Sequence, residues 1–418
     1  MGHLAGKDIY RQLGRKIDNM PTRAPWNDRL YAVLKELYSA DEAEVAVKMP
    51  YGLSTLPQIL KATGFEPAKL KKILEGLAAK GLVMDLWMNG EYRYLLSPLV
   101  IGIFEFTMMR TGDNLNLKEW ARLFNEYLHG DDSFYRANMA GGKRVFPLRA
   151  LPYEEAIDQA EYVEILDYEK ASSIVESANK FSIGICSCRH EKLHVGKKTC
   201  SIPLDTCSTF GESSDYMVQH GFGKAVSKSE MKENLDRCRE MGLVMCADNI
   251  KKDISFICFC CGCCCNVLLG ISRFGYPNAV VTSTFIAHHT SENCSECGDC
   301  ASACPINAIK MKTEGGPEVD EKFCIGCGVC GLKCATGSMT LVKRKERVLH
   351  PETTFERIIL QSLERGTLQN LMFADTQRLT HKFMRGMVGG FLRLPPIKKS
   401  LMSETLRSSF LQFMQKGG

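Results

Sequence analysis

Cysteine is missing from the first 185 residues and from everything after position 334, yet the 418-residue chain holds 20 of them. An apolar run of about 18 residues, the length needed to cross a bilayer, is also missing. The opening stretch, MGHLAGKDIYRQLGRKIDNM, lacks the apolar core of a signal peptide, and Lys7 stands where a myristoylation motif wants Ser or Thr. These absences predict a cytoplasmic protein. In a reducing compartment, 20 cysteines point to metal or redox chemistry rather than disulfides. Strong charge of one sign is lacking too: the net charge is +5, and residues 351–418 alone carry ten Lys/Arg against five Asp/Glu. The rest is near neutral, which excludes a nucleic-acid coat protein. No GxGxxG or P-loop occurs, so neither a dinucleotide site nor ATP hydrolysis is supported.

With 45% apolar and 24% charged residues, the chain has the composition of a folded protein too long for a single core. The pattern predicts an α+β, multidomain chain. Its parts are 1–100 with a leading helix, a helical connector at 101–155, a cysteine-rich α/β domain at 156–281, a two-cluster domain at 282–345, and a basic helical tail at 346–418. In the first part, Asn27 or Asp28 caps a helix carrying Leu30, Val33, Leu34 and Leu37. LPQILKAT and EPAKLKKILEGLAAKG supply two more helices, and Asn89-Gly90 joins two strand-like runs as a hairpin. This order of three helices and a hairpin resembles the winged-helix family. The resemblance implies DNA binding through Lys69, Lys71, Lys72 and Lys80, or protein docking with those lysines as a solvated face; docking is preferred. Trp87, Tyr92 and Tyr94 read as packing around the hairpin.

Further along, YVEIL, a helix capped by Asp167 and FSIGICSC read as a strand–helix–strand unit ending at Cys186 and Cys188. Ser227 and Glu230 stand in capping-box register before another helix. The tail alternates apolar and cationic residues, so it either docks on the protein's own body, the preferred reading, or touches a membrane surface.

The strongest signal lies at 294–305, CSECGDCASACP, and again at 324–335, CIGCGVCGLKCA. Three cysteines at intervals of three let one loop wrap a cubane, and the x3-Cys that follows turns away from it. Gly298, Gly326 and Gly328 permit close backbone approach. A zinc ribbon uses two CxxC pairs and would leave four cysteines idle. The segment resembles the bacterial two-[4Fe-4S] ferredoxins. That resemblance implies one cluster on Cys294, Cys297, Cys300 and Cys334, and another on Cys324, Cys327, Cys330 and Cys304. Ala335 replaces the second proline without removing a ligand.

Twelve cysteines remain. Cys238 shares the apolar face of its helix with Met231 and Leu235, and Cys246 follows GLVM in a strand, so both read as core. The other ten are expected to build a third iron–sulfur centre. One ligand set is Cys186, Cys188, Cys200 and Cys207; the second is drawn from Cys258, Cys260, Cys261, Cys263, Cys264 and Cys265. A redox-active dithiol and structural thiols stay open as alternatives, as does the number of clusters. Arg189 would place positive charge beside the thiolates and raise their potential. His190 and His194 are either ligands or, as preferred, supports. CSCRH followed by a cysteine-dense stretch resembles uncharacterised ferredoxin-like iron–sulfur proteins of anaerobes. The expected function is electron transfer within an anaerobic oxidoreductase system, as a subunit or as the partner of a flavoprotein or oxidoreductase subunit. A redox-responsive regulator and a reductase with its active site in the middle region are the alternatives.

Overall fold

In the computed structural model, residues 8–158, 166–346 and 348–416 are described. The N-terminal motif readings on Met1–Lys7 and most of the YVEIL strand fall outside them. Two units divide the chain: residues 1–138 with 355–418, and residues 139–354.

In the first unit, Asp8 caps α1 (Ile9–Asp18), and Asn27 Oδ1 accepts from Leu30 N at 2.8 Å to start α2 (Asp28–Leu37). Leu30, Val33, Leu34 and Leu37 are buried. A helix the periodicity did not suggest, α3 (Ala40–Lys48), follows, opened by a capping box of Ser39 and Glu42. Strand β1 (Ser54–Thr55) precedes α4 (Leu56–Thr63) and α5 (Pro67–Ala79). The hairpin of β2 (Val83–Met88) and β3 (Glu91–Leu96) turns at Asn89 and Gly90, both at positive φ, and pairs with β1 in the order β1–β3–β2. Three further helices complete this part: α6 (Phe104–Met109), α7 (Leu117–His129) and α8 (Ser133–Met139).

The second unit is built on six strands: β4 (Leu148–Ala150), β5 (Phe181–Ile185), β6 (Asp205–Phe210), β7 (Gly223–Ala225), β8 (Val244–Asp248) and β9 (Phe256–Cys260). They are ordered β4–β8–β9–β6–β5–β7, and every neighbouring pair is antiparallel. The first strand of the strand–helix–strand reading lies mostly outside the described residues; its last, FSIGI, is β5. The segment between β5 and β6 contains α10 (Ser187–His194) and a loop that returns antiparallel to β5. Between β4 and β5 lies α9 (Ala171–Ser177); α11 (Gly211–Gln219) and α12 (Lys228–Glu240) join later strands, the last with the Ser227–Glu230 capping box.

After α13 (Asn266–Ser272), β10 (Phe285–His289) and β13 (Met339–Lys343) pair antiparallel and close the ferredoxin-like segment. They enclose α14 (Asp299–Ala303), the hairpin of β11 (Ile309–Met311) with β12 (Pro317–Val319), and α15 (Val329–Leu332). Residues 156–281 and 282–345, read from sequence as separate domains, lie within one compact unit. Backbone hydrogen bonds from residues 151–158 show why. Leu151 N–H donates to Met245 O at 2.9 Å, Tyr153 N–H to Cys327 O at 3.0 Å, and Asp158 N–H to Leu341 O at 3.0 Å.

The tail returns to the first unit. Ile359, Leu360 and Leu363 of α16 (Thr354–Arg365) are buried, and its Gln361 donates to Thr22 Oγ1 at 3.0 Å. Beyond α17 (Leu368–Met372), α18 (Leu379–Leu392) exposes Leu379, Phe383, Met387 and Phe391, spaced by four residues. Two helices, α19 (Pro395–Leu401) and α20 (Glu404–Lys416), follow.

Candidate metal centre

None of the twenty cysteines is in a disulfide. In the ferredoxin-like segment they surround two cavities. The first is lined by Cys294, Cys297, Cys300 and Cys334 together with His289, Met311 and Thr336. The second is lined by Cys304, Cys324, Cys327 and Cys330 with Ile306, Ile309, Ile325 and Leu341. Each quartet therefore takes three cysteines from one loop and the fourth from the other. Gly298 and Gly328, at φ +81° and +82°, end the two cysteine loops and cap α14 and α15. Gly326 is also at positive φ, and any Cβ there would collide with the Phe285 carbonyl. An amide also faces sulfur: Ala308 N–H donates to Cys304 Sγ at 3.2 Å. Four thiols around a cavity, with an amide directed at sulfur, form a donor set that fits a [4Fe-4S] cluster.

The quartets differ in surroundings. Cys297 is exposed, whereas Cys324, Cys327 and Cys330 are all buried. Burial pushes the Cys330 thiol up to about 12, with neighbouring cysteines adding to the effect.

The middle cysteines divide in a way their order along the sequence does not reveal. Cys186 lies just past the end of β5 and caps α10, while Cys207 lies in β6. Cys246 and Cys258 are partners in the β8–β9 register, and Cys258 contacts Cys207 on its other side. Cys260 contacts Cys246 and Cys265, and Cys265 contacts Cys188. The Cys186 thiol also feels those of Cys188 and Cys207, and burial pushes it up to about 12. Cys246, read from sequence as plain core, is thus a member of this thiol group; strand pairing, invisible in the sequence, puts it there. Cys238 is buried in α12, its Sγ 3.8 Å from Asn234 Oδ1.

Cys200, which the sequence pattern grouped with Cys186, Cys188 and Cys207, gathers with Cys261, Cys263 and Cys264. It lies in the loop outside the sheet, its Sγ 3.9 Å from those of Cys261 and Cys264. Cys263 Sγ is 3.8 Å from Cys261 Sγ and 3.4 Å from Cys264 Sγ. The Cys261 thiol is drawn down to about 5, chiefly by hydrogen bonding from Cys264, against the cost of burial and with help from Arg189.

Two buried devices hold these segments in place. Arg189 is fully buried; Nη2 donates to Thr206 Oγ1 at 2.8 Å and to the Phe259 carbonyl, and Nη1 to the Pro203 carbonyl. It thereby ties α10 to β6 and β9. Burial opposes its charge, but Cys186, Cys261 and Cys260 favour it and hold its pKa above the ordinary value. Lys192 Nζ donates to both carboxylate oxygens of Glu191 at 2.8 Å and to Asn266 Oδ1 at 2.9 Å. Asn266 Nδ2 returns a bond to Glu191 Oε2 at 3.0 Å, joining α10 to the start of α13. His190 and His194 face each other with Nε2 atoms 2.9 Å apart.

The thiol loop also reaches the ferredoxin-like segment. A Cβ placed on Gly262 would lie 2.5 Å from the carbonyl oxygen of Pro305, the residue after Cys304. Only glycine permits this approach.

The 4Fe-4S dicluster domain family matches residues 293–347. Over 83 residues the protein is 29% identical to one of the chains of the anaerobic dimethyl sulfoxide reductase of Escherichia coli, a match covering 19% of this protein and 40% of that one. Over 59 residues it is 39% identical to an uncharacterized ferredoxin of Methanocaldococcus jannaschii, covering 14% and 36%. One of the subunits of the tetrathionate reductase of Archaeoglobus fulgidus is 40% identical over 47 residues, covering 11% and 23%. The matches thus span less than half the length of these relatives. No solved structure matches. The ferredoxin-like segment is an iron–sulfur, 4Fe-4S dicluster segment similar to parts of these reductase subunits.

Proposed function

We propose that the protein is an electron-transfer subunit that carries single electrons between an external redox partner and a third metal centre in its cysteine-rich middle. Cys294, Cys297, Cys300 and Cys334 would hold one [4Fe-4S] cluster; Cys304, Cys324, Cys327 and Cys330 would hold a second. Such clusters supply one-electron carriage at potentials set by exposure and hydrogen bonding. The third centre is assigned to the group formed by Cys186, Cys188, Cys207, Cys258, Cys260 and Cys265, with Cys246 beside it.

The contact of Gly262 with Pro305 is the observation that carries this reading. It joins the buried quartet, through the residue next to Cys304, to the loop bearing the middle thiols. The exposed Cys297 end suits a partner, and the apolar lining around Cys304 keeps water from the inner end. Buried Arg189 offsets thiolate charge in the middle group and holds β6 and β9 in register around it. Cysteine substitutions read by iron, sulfide and EPR test this assignment.

The N-terminal helices and hairpin are assigned to protein docking, in a winged-helix arrangement. Three of the four lysines that would meet phosphate face acidic side chains: Lys69 pairs with Asp41 at 2.6 Å, Lys80 with Glu42 at 2.8 Å, and Lys71 approaches Glu75 at 3.9 Å.

A further inference from the structure

We propose that Cys200, Cys261, Cys263 and Cys264 form a separate site for one tetrahedral, thiolate-bound metal ion, zinc or mononuclear iron. The inference rests on reading the middle region as metal-binding, and it adds to that reading a site containing no inorganic sulfide.

Distance carries the assignment. A metal–sulfur bond of about 2.3 Å in a tetrahedron places the sulfurs about 3.8 Å apart. Four of the six pairs here measure 3.4, 3.8, 3.9 and 3.9 Å, and all four Sγ atoms lie within 4.8 Å of one another. A disulfide would bring two of them to about 2.05 Å. The ferredoxin quartets supply an internal contrast. Among the described residues, Cys200, Cys261, Cys263 and Cys264 form the one group of metal-ligating atoms gathered so closely. A cubane places a separate iron under each thiolate and so holds the sulfurs further apart than one shared ion does.

The ligand set also suits a closed structural or one-electron site. Cys261 and Cys264 are buried, and Cys200 and Cys263 are half-buried. Three ligands come from one tight turn, in which Cys264 and Cys265 N–H groups both bond to the Cys261 carbonyl. The fourth comes from the Cys200 loop, so one ion would pin that loop to the end of β9. Four sulfurs and tetrahedral geometry select a thiophilic ion over a hard one such as magnesium.

The test uses the full-length protein, purified anaerobically, with zinc, iron and acid-labile sulfide quantified per molecule. Cys263→Ser and Cys200→Ser are expected to lose one equivalent of metal with sulfide unchanged. Zinc loss identifies a zinc site, and iron loss with a high-spin ferric EPR signal in the oxidised wild type identifies mononuclear iron. Loss of iron and sulfide together in cluster proportion would overturn the assignment, as would no metal loss. Should both variants fail to fold, the metal and sulfide counts of the wild-type protein decide. Zinc, or iron in excess of acid-labile sulfide, supports the site, and iron equal to sulfide with no zinc overturns it. Cys258→Ser tests the third centre independently: retention of its iron and sulfide would sink that reading while leaving this one intact.

Discussion

Gly262 and Pro305 are in backbone contact, the glycine pressed against the proline carbonyl so closely that a Cβ would lie 2.5 Å from its oxygen. Two cysteine-rich segments that look separate in the sequence meet at this point. Gly262→Val must push them apart. Iron and sulfide per molecule should stay at the wild-type level, while electron equilibration between the ferredoxin segment and the middle region slows by at least about tenfold, as each 1.4 kcal/mol of barrier does. Freeze-quench EPR after rapid mixing with a reductant would measure this. An unchanged rate would show that the route runs elsewhere.

Lys192, Glu191 and Asn266 form a buried polar network, with the Lys192 and Glu191 side chains 3% and 0% exposed. Lys192→Met leaves the Glu191 carboxylate buried without its cation, an effect of about 3–5 kcal/mol for a broken buried pair. The melting temperature should fall markedly, and adding Glu191→Gln to the same protein should restore part of it. Anaerobic thermal unfolding followed by circular dichroism would show both effects.

Glu105 accepts from the Gly102 amide at 2.8 Å, and burial pushes its carboxyl up to about 8. A folded-state pKa above the unfolded one contributes stability that is complete below about pH 4.3 and is lost as pH rises toward 8. Glu105→Gln should therefore melt increasingly above wild type between about pH 4.3 and 8, with the difference vanishing below about pH 4 and levelling off above about pH 8. A constant difference across that range would contradict a protonated Glu105.

Lys69, Lys71 and Lys80 are each set against an acidic side chain. Mobility-shift assays should accordingly find only salt-sensitive, sequence-blind DNA binding, in the oxidised and reduced states alike. A specific, redox-dependent shift at physiological salt would make the protein a regulator.

How much of this is legible in the sequence depends on whether distance along the chain stands in for distance in space. Within each ferredoxin loop it does: intervals of three bring Cys294, Cys297 and Cys300 to one cavity, while the family resemblance supplies the crossing of Cys304 and Cys334. The helix carrying Leu30 and Leu34 and the Asn89-Gly90 turn are likewise readable, because caps and turns are local. In the middle region distance along the chain fails. Cys200 meets Cys261 and Cys264 through a loop outside the sheet, and Cys246 meets Cys258 through a register that no short window encodes. Helix α10 escapes the sequence pattern because SCRHEKLH follows a strand directly and has little apolar periodicity. The Ser39–Glu42 capping box is a local signal that could have located α3.

Anaerobic iron and sulfide quantification with EPR, on wild type and on Cys258→Ser and Cys260→Ser, tests the central claim most directly. The account predicts more than the roughly eight irons that two [4Fe-4S] clusters supply, with the excess iron and its sulfide lost in both variants. A wild-type content near eight irons, unchanged by either substitution, would contradict it.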